Sequence, residues 1–314
     1  MNNEQKEFAS IYAVTQDDWN SIDATKYFID NFISETSLNL VIAPAKTGKS
    51  LIMQDFIHYL LPKYQNKVFF YIDNDNSLKT AKKRKINEIQ YPNFKYINKK
   101  KIYEQKGGVN AIFDKLLSYE SLQNWVIVFD SLRNFANGVD INKDKDLTPF
   151  MEKFETLRIK GACVFLLHHT KKGDNAEFRG GNGIIESVDN VFYLRNLIKE
   201  SKQQERYKNE LYFILELKYS RDENETQKAF YTNTETGEFK EIEIDEAMSK
   251  NLPPICIKAH EILKEYGELN QSKLFEMLNI TNNAPRRAEI QKGENILYEI
   301  TQYPNKHKFY SPKY

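Results

Sequence analysis

The sequence predicts an α/β protein built on a mainly parallel sheet, followed by a small unit of its own at the C-terminal end. Three observations predict it. Short runs rich in β-branched and aromatic residues recur as NLVIAP, KVFFYID, NWVIVFD, GACVFLLHH, DNVFYLR and LYFILELKY. Such runs are apolar on both faces, as strands are when helices cover the sheet on each side. Helical patterns separate the first four runs, which is the alternation of a parallel sheet. Beyond about Thr232 the composition turns acidic and rich in turn residues, the sign of a boundary.

The elements follow in order. Residues 1–35 carry no motif, and ATKYFIDNFI within them reads as a short helix. Leu51, Ile52, Phe56, Ile57 and Leu60 recur at three- and four-residue spacing and predict a helix directly after the first long run. A second helical set, Ile112, Phe113, Leu116 and Leu117, follows the Gly107-Gly108 break. A third, Phe150, Met151, Phe154 and Leu157, is expected to start after Pro149 and stop at Gly161. NTETGEFKEIEIDEAMSKN and then Leu252-Pro253-Pro254 read as a linker. The expected division is an N-terminal segment over 1–35, an α/β domain over 36–245 and a small domain over 253–314.

In that last part CIKAHEILKEYG reads as one helix, NQSKLFEMLNI as a second with Asn270 as its cap, and NAPRRAEIQKG as a third. ILYEITQYPNKHKFYSP reads as a hairpin turning near Pro304 and Asn305. Three short helices and a hairpin form the winged-helix outline. A DNA-reading role would bring Arg286, Arg287 and Lys292 near a groove; a module used only for protein contacts is the equal alternative.

Bulk properties exclude little. The 314 residues are 40% hydrophobic, enough for a large core, and 45 basic against 44 acidic residues leave a net charge of +1. Overall charge therefore argues neither for nor against a nucleic-acid partner. The lysine runs at 79–85 and 97–103 read as solvated surface. Cys163 and Cys256 are too few for a disulfide framework. Without an apolar signal core, or any apolar run near the ~18 residues of a membrane helix, the expectation is a cytoplasmic protein with no membrane partner.

The chemistry begins at VIAPAKTGKSLIM, residues 41–53. It follows the phosphate-loop pattern G-x-x-x-x-G-K-[ST] except that Ala43 stands at the opening glycine. The context is strand, turn and amphipathic helix, in which backbone N–H groups and a helix start both face the anion. Ala45, Lys46, Thr47, Gly48, Lys49, Ser50 and Leu51 are the expected nucleotide contacts. Lys49 would reach the β- and γ-phosphates and the Ser50 hydroxyl would ligate Mg2+. A methyl at position 43 is tolerable where φ stays negative. WVIVFDS then ends an apolar run in Asp130, placed to hold the same Mg2+ through water. ATP and Mg2+ are therefore the expected cofactors. A group orienting the attacking water is also needed, and Asp73 and Asp75 at the end of KVFFYIDNDNS are both candidates that spacing alone does not separate.

From these residues onward the chain resembles the RecA-like ATPases of the hexameric helicase group, most of all the RepA-type helicases of plasmids and phages and more distantly DnaB. The resemblance covers roughly residues 38–232. Its most specific element is the block HHTKK, RGGNGIIE, DNVFYL. It implies a RecA-like core and several residue roles. Asp75 falls where the family carries a catalytic Glu, with a carboxylate retracted by one methylene, roughly 1.5 Å. His169 matches the position that senses the γ-phosphate. The following loop, with Lys171, Lys172 and Arg179, corresponds to the family's channel loop that grips single-stranded DNA. Lys218 and Arg221 resemble the cations extended into a neighbour's ATP site, although the spacing here is K-x-x-R rather than K-x-R; a surface salt-bridge pair is the alternative. The expected function is thus an ATP-driven motor on single-stranded DNA, a ring-forming, hexameric replicative helicase of a mobile element. The alternative is an ATP-binding, DNA-associated regulator or loader with weak turnover, which Ala43 and Asp75 motivate.

Overall fold

A computed structural model of the chain describes residues 1–20, 24–170, 183–200, 207–221, 225–304 and 307–313. Two helices open it, α1 (Asn3–Tyr12) and α2 (Gln16–Asn20), and neither buries a residue. The stretch ATKYFIDNFI is not the expected helix. It forms a hairpin of β1 (Tyr27–Ile29) and β2 (Ile33–Ser34). Asn31 supplies a left-handed turn at φ 49°, a conformation asparagine tolerates. The tight turn puts Phe28, Ile29, Phe32 and Ile33 into the core together.

The α/β region then runs β3 (Leu38–Ala43), α3 (Lys49–Leu60), β4 (Val68–Asp73), α4 (Leu78–Lys83), β5 (Phe94–Asn98), α5 (Lys99–Glu104), α6 (Val109–Leu117), β6 (Trp125–Asp130), α7 (Leu132–Phe135), α8 (Asp144–Ile159), β7 (Cys163–His169), α9 (Gly183–Glu186), β8 (Asn190–Asn196), α10 (Leu197–Glu200) and β9 (Glu210–Ser220). One nine-stranded sheet has the order β11-β10-β9-β8-β3-β7-β6-β4-β5, where β10 is Gln227–Asn233 and β11 is Phe239–Ile242. From β8 to β5 every pair is parallel, whereas β9, β10 and β11 extend the sheet antiparallel.

Alternate residues of the central strands feed two separate layers. On β6, Val126 and Val128 join the layer that holds Ile52, Phe56 and Ile57 of α3, while Ile127 and Phe129 join Phe113 of α6 and Phe154 of α8. Burial on both faces is why these strands read as continuous apolar runs.

Two boundaries differ from expectation. α8 begins at Asp144 and contains Pro149. Pro149 lacks only the N–H that would bond residue 145, close to the helix start, and Leu147 adds a buried anchor in register with Phe150 and Met151. The stretch read as a linker is part of the sheet instead. Its Phe239–Ile242 pairs with β10, and α11 (Ile244–Ser249) buries Ala247 against Ala229 and Tyr231.

The C-terminal part comprises α12 (Pro254–Tyr266), β12 (Leu269–Asn270), α13 (Gln271–Met277), α14 (Ala284–Gln291), β13 (Tyr298–Gln302) and β14 (Lys308–Pro312), with strand order β12-β14-β13. β13 and β14 pair antiparallel; Asn305, expected at their turn, lies outside the described residues. The Asn270 side chain accepts from the Lys273 N–H and caps α13. Leu263, Leu274, Phe275, Ile290, Tyr298 and Tyr310 form its own core. Among the described residues no helix is long and apolar enough to cross a membrane.

Candidate functional site

Parallel strands end together, so their last residues form a row. Asp73 of β4 pairs with Asp130 of β6, Asp130 with Leu167 of β7, and His169 with Ala43 of β3. The register thus brings Asp73, Asp130, His169 and the loop after Ala43 to one sheet edge.

Ala43 is fully buried as the last residue of β3, and its φ is not in the left-handed region. The turn is made later, by Lys46 at φ 65° and Gly48 at φ 110°. Glycine is required at 48, not at 43. The loop's carbonyls are held by the protein: Pro44 O accepts from the Thr47 hydroxyl at 2.8 Å, Thr47 O from Asn196 Nδ2 at 2.9 Å, and Lys46 O from the Lys199 ammonium. The first amides of α3 have no intrahelical acceptor, which leaves them free to meet an anion.

Lys49, the first residue of α3, is only 6% exposed. Its Nζ donates to His169 Nδ1 at 3.0 Å and lies 3.4 Å from Ala43 O. Burial pushes its pKa down to about 8, against the opposing pull of Asp130 and Asp75. His169 is shifted below the ordinary imidazole value by burial and then by Lys49. The neighbouring His168 is buried within the sheet.

Asp130 is 2% exposed. Burial and the nearby Asp73 raise its pKa to about 6, partly offset by hydrogen bonds from the Ser50 and Tyr71 side chains. The Tyr71 hydroxyl donates to Asp130 Oδ2 at 2.8 Å. A buried carboxylate beside a serine hydroxyl is a hard-oxygen pair short of positive charge, which fits Mg2+. Among the described residues no three His, Cys, Asp or Glu side chains gather as a metal cluster, so phosphate and water would complete the ion's shell. Ser50 and Asp130 would hold it, and it would neutralise charge on the phosphates.

The two acids after β4 separate clearly. Asp73 is fully buried and saturated: Oδ1 accepts from the N–H groups of Asp75 and Asn76 at 3.0 and 2.8 Å, and Oδ2 from the Tyr96 hydroxyl at 2.8 Å. It is a turn-forming acid. Asp75 is exposed, accepts from Asn134 Nδ2 at 2.9 Å, and acts electrostatically on Lys49, Asp130 and His169. Of these two acids, Asp75 is the one open to a ligand.

Other expected residues lie elsewhere. Lys171, Lys172 and Arg179 fall outside the described residues; the chain leads to them through Thr170, whose N–H donates to Ala43 O at 3.2 Å. Arg221 is at the opposite end of the sheet, because Ser220 is level with Asn190 and Asn190 with Asn39, whereas Lys218 is mid-strand, between residues level with Leu40 and Val41 of β3. Asn39 is four residues short of Ala43, about 13 Å along the strand. Lys218 pairs with Glu216 at 2.5 Å, and Arg221 with Asp189 at 3.6 Å and Glu186 O at 2.6 Å. Arg286 and Arg287 are on α14, where Arg286 pairs with Glu289 at 2.7 Å and Arg287 donates to Asn282 Oδ1 at 2.9 Å; Lys292 is the residue that ends this helix.

Sequence reasoning missed Tyr71, Asn134, Asn196 and Lys199. Tyr71 had a signal, since it is two residues before Asp73 and so shares its face. The other three carry none, because tertiary contact alone gives them their partners.

No protein-family model matches the chain, and no curated protein matches it in sequence. Among solved structures, it is similar to an ATPase domain at 12% identity, covering 77% of this chain and 100% of that one, with a TM-score of 0.48. It is also similar to a KaiC-like protein of the hyperthermophilic archaeon Pyrococcus horikoshii OT3 at 13% identity, covering 71% of this chain and 98% of that one, with a TM-score of 0.44.

Proposed function

We propose that the chain is an ATP-driven motor with a RecA-like core that moves along single-stranded DNA as a ring of subunits, in the manner of a replicative helicase. One observation carries the reading: Lys49, Ser50, Asp130 and His169 converge on one sheet edge around a phosphate-type loop. In this reading Lys49 leaves His169 for the phosphates when ATP enters, and His169 becomes free to bond the terminal phosphate. Thr170 is tied to the Ala43 carbonyl, so the cationic run that follows starts from the loop's own anchor. Asp75, steadied by Asn134, orients the attacking water. Lys218, mid-strand on β9, and Arg221, at the far end of the sheet, serve a neighbour's site, which makes the ring necessary for turnover. The tail is read as a winged helix.

Strand displacement on a forked duplex tests this directly. Unwinding is expected for the native chain with ATP and Mg2+ and is abolished by Lys49→Ala; unwinding that survives the change contradicts the motor. The second reading, a DNA-associated regulator or loader with weak turnover, is favoured by the short carboxylate of Asp75. Single-turnover hydrolysis with and without single-stranded DNA separates the two, because strong stimulation by DNA eliminates the regulator.

A further inference from the structure

Residues 76–106 carry ten lysines and arginines against Glu88 and Glu104, a net charge of +8. The whole chain stands at +1, so everything outside this stretch is net acidic. Taken singly, its two lysine runs read as solvated surface, but the fold brings them together. β4 and β5 are parallel neighbours with Asp73 level with Asn98, so the chain leaves both strands at adjacent points, about 5 Å apart. The Asn98 side chain donates to Asn76 O at 2.9 Å and ties these two exits, while Ser77 caps α4 and Asn98 caps α5. Ala81 of α4 is buried in one layer of the core and Ile102 of α5 in the other. The two helices therefore cover opposite faces of the sheet, and their cations form one band around its β5 edge.

The band is short of counter-charge. Lys79, Lys82, Lys83, Lys95, Lys99 and Lys106 are exposed and make no ion pair among the described residues, whereas Lys100 and Lys101 share Glu104. Its chemistry selects a partner. Protein interfaces are depleted in lysine and centre on a buried apolar patch; here Leu78 and Tyr103 are the large apolar side chains exposed among the described residues. A membrane surface requires an apolar helix face to insert, and the apolar positions of α4 and α5 at Ala81 and Ile102 are spent on the core. A nucleic-acid backbone fits, because it presents a regular row of charges, about one per 1.7 Å of duplex, and meets dispersed lysines without a pocket. The place is also distinct. β7, which leads to the loop at 171–182, is three strands from β5, about 14 Å across the sheet.

We propose that this band is a nucleic-acid site, holding the phosphate backbone of a DNA segment by charge and without reading its sequence. It is separate from the channel loop and from α14, and it does not rest on the ATP reading.

The test is fluorescence anisotropy of a labelled duplex of about 20 base pairs with the full chain, without nucleotide, over roughly 50–200 mM salt. The native chain is expected to bind, with affinity falling at least about a hundredfold across that range. Reversing Lys82→Glu, Lys83→Glu, Lys99→Glu and Lys106→Glu together should lower affinity more than about tenfold and make the log–log salt slope about 3 shallower. The same reversal at Lys26, Lys63, Lys143 and Lys240, exposed lysines outside the band, should stay within about threefold. Where the reversed chain does not fold, Lys82→Gln, Lys83→Gln, Lys99→Gln and Lys106→Gln remove the same contacts and should flatten the slope alike. Lys49→Ala should bind the duplex as the native chain does, so failure of the ATP reading and failure of this one are told apart. No duplex binding by the native chain, or an equal loss in the control set, overturns the proposal. A loss in an Arg286→Ala, Arg287→Ala chain with none in the band variant places the contact on α14 and overturns it too. A band variant that changes the mass in gel filtration while binding the duplex normally makes the band a contact between chains instead.

Discussion

Lys49 Nζ and His169 Nδ1 are 3.0 Å apart across the β3–β7 ladder. An ammonium can only donate, so His169 is the acceptor and is neutral, with its proton on Nε2. One hydrogen bond thus joins the cation of the phosphate loop to the ring beside it.

The burial of Lys49 makes nucleotide binding sensitive to pH. Lys49 titrates at about 8 in the free chain. Above that value a proton must be taken up on binding, and ATP affinity is expected to fall by about tenfold per pH unit. The sign for stability is the reverse. A lysine depressed from 10.5 to about 8 is costly while charged, so stability rises as pH climbs between those values. Calorimetric titration and thermal melting across pH 7–10 check both, and a flat affinity profile would mean that Lys49 does not meet the phosphates.

Asp73 and Asp75 are expected to respond oppositely to substitution. Asp73→Ala strands two backbone N–H groups and the Tyr96 hydroxyl and should cost roughly 2–4 kcal/mol. Thermal melting would show a fall of roughly 5–10 °C. Asp75→Asn is exposed and should leave the melting temperature unchanged while turnover is lost and ATP still binds. A hydrolysis rate untouched by Asp75→Asn removes it from the chemistry.

Restoring the usual glycine at the loop's opening position brings no gain. Ala43 is a buried strand residue outside the left-handed region, so Ala43→Gly should cost about 1 kcal/mol and leave ATP affinity within about twofold. Tighter binding by this variant would show that the alanine is a defect of the loop.

Arg221 is held by Asp189 and Glu186 at the edge away from its own loop. Arg221→Ala should therefore leave ATP affinity intact and abolish turnover. Mixing it with Lys49→Ala chains should restore part of the activity, because one chain keeps a sound loop and the other a sound cation. Failure of the mixture to hydrolyse ATP, with both variants folded and associating, places the cation in another role.

Much of this fold was legible because its central strands are buried on both sides. LNLVIA, WVIVFD and CVFLLHH have no polar face to confuse with loop, and a glycine, a proline or a cap marks most of the helices between them. The edge strands were harder. Phe94–Asn98 is short and half-exposed, with Lys95 outward, and Phe239–Ile242 exposes both Lys240 and Glu241, so both read as surface. ATKYFIDNFI failed for a different reason: its apolar pairs fit a helix as well as a hairpin, and only the turn at Asn31 decides between them. Within the site, Lys49, Ser50 and Asp130 were legible from spacing. Asp75 over Asp73 was not, because the choice depends on which carboxylate the Asn76 amide and Tyr96 satisfy.

The pairing of Phe239–Ile242 with β10 matters for anyone dividing this chain. A cut near residue 232, where the composition shifts, would strip the sheet of its outermost strand and leave a row of unmated backbone groups beside Ala229, Phe230 and Tyr231. Such a fragment would be prone to stick edge to edge. Cutting beyond Asn251 keeps the strand and α11 as a cover, and yields the shortest piece that should stay monodisperse.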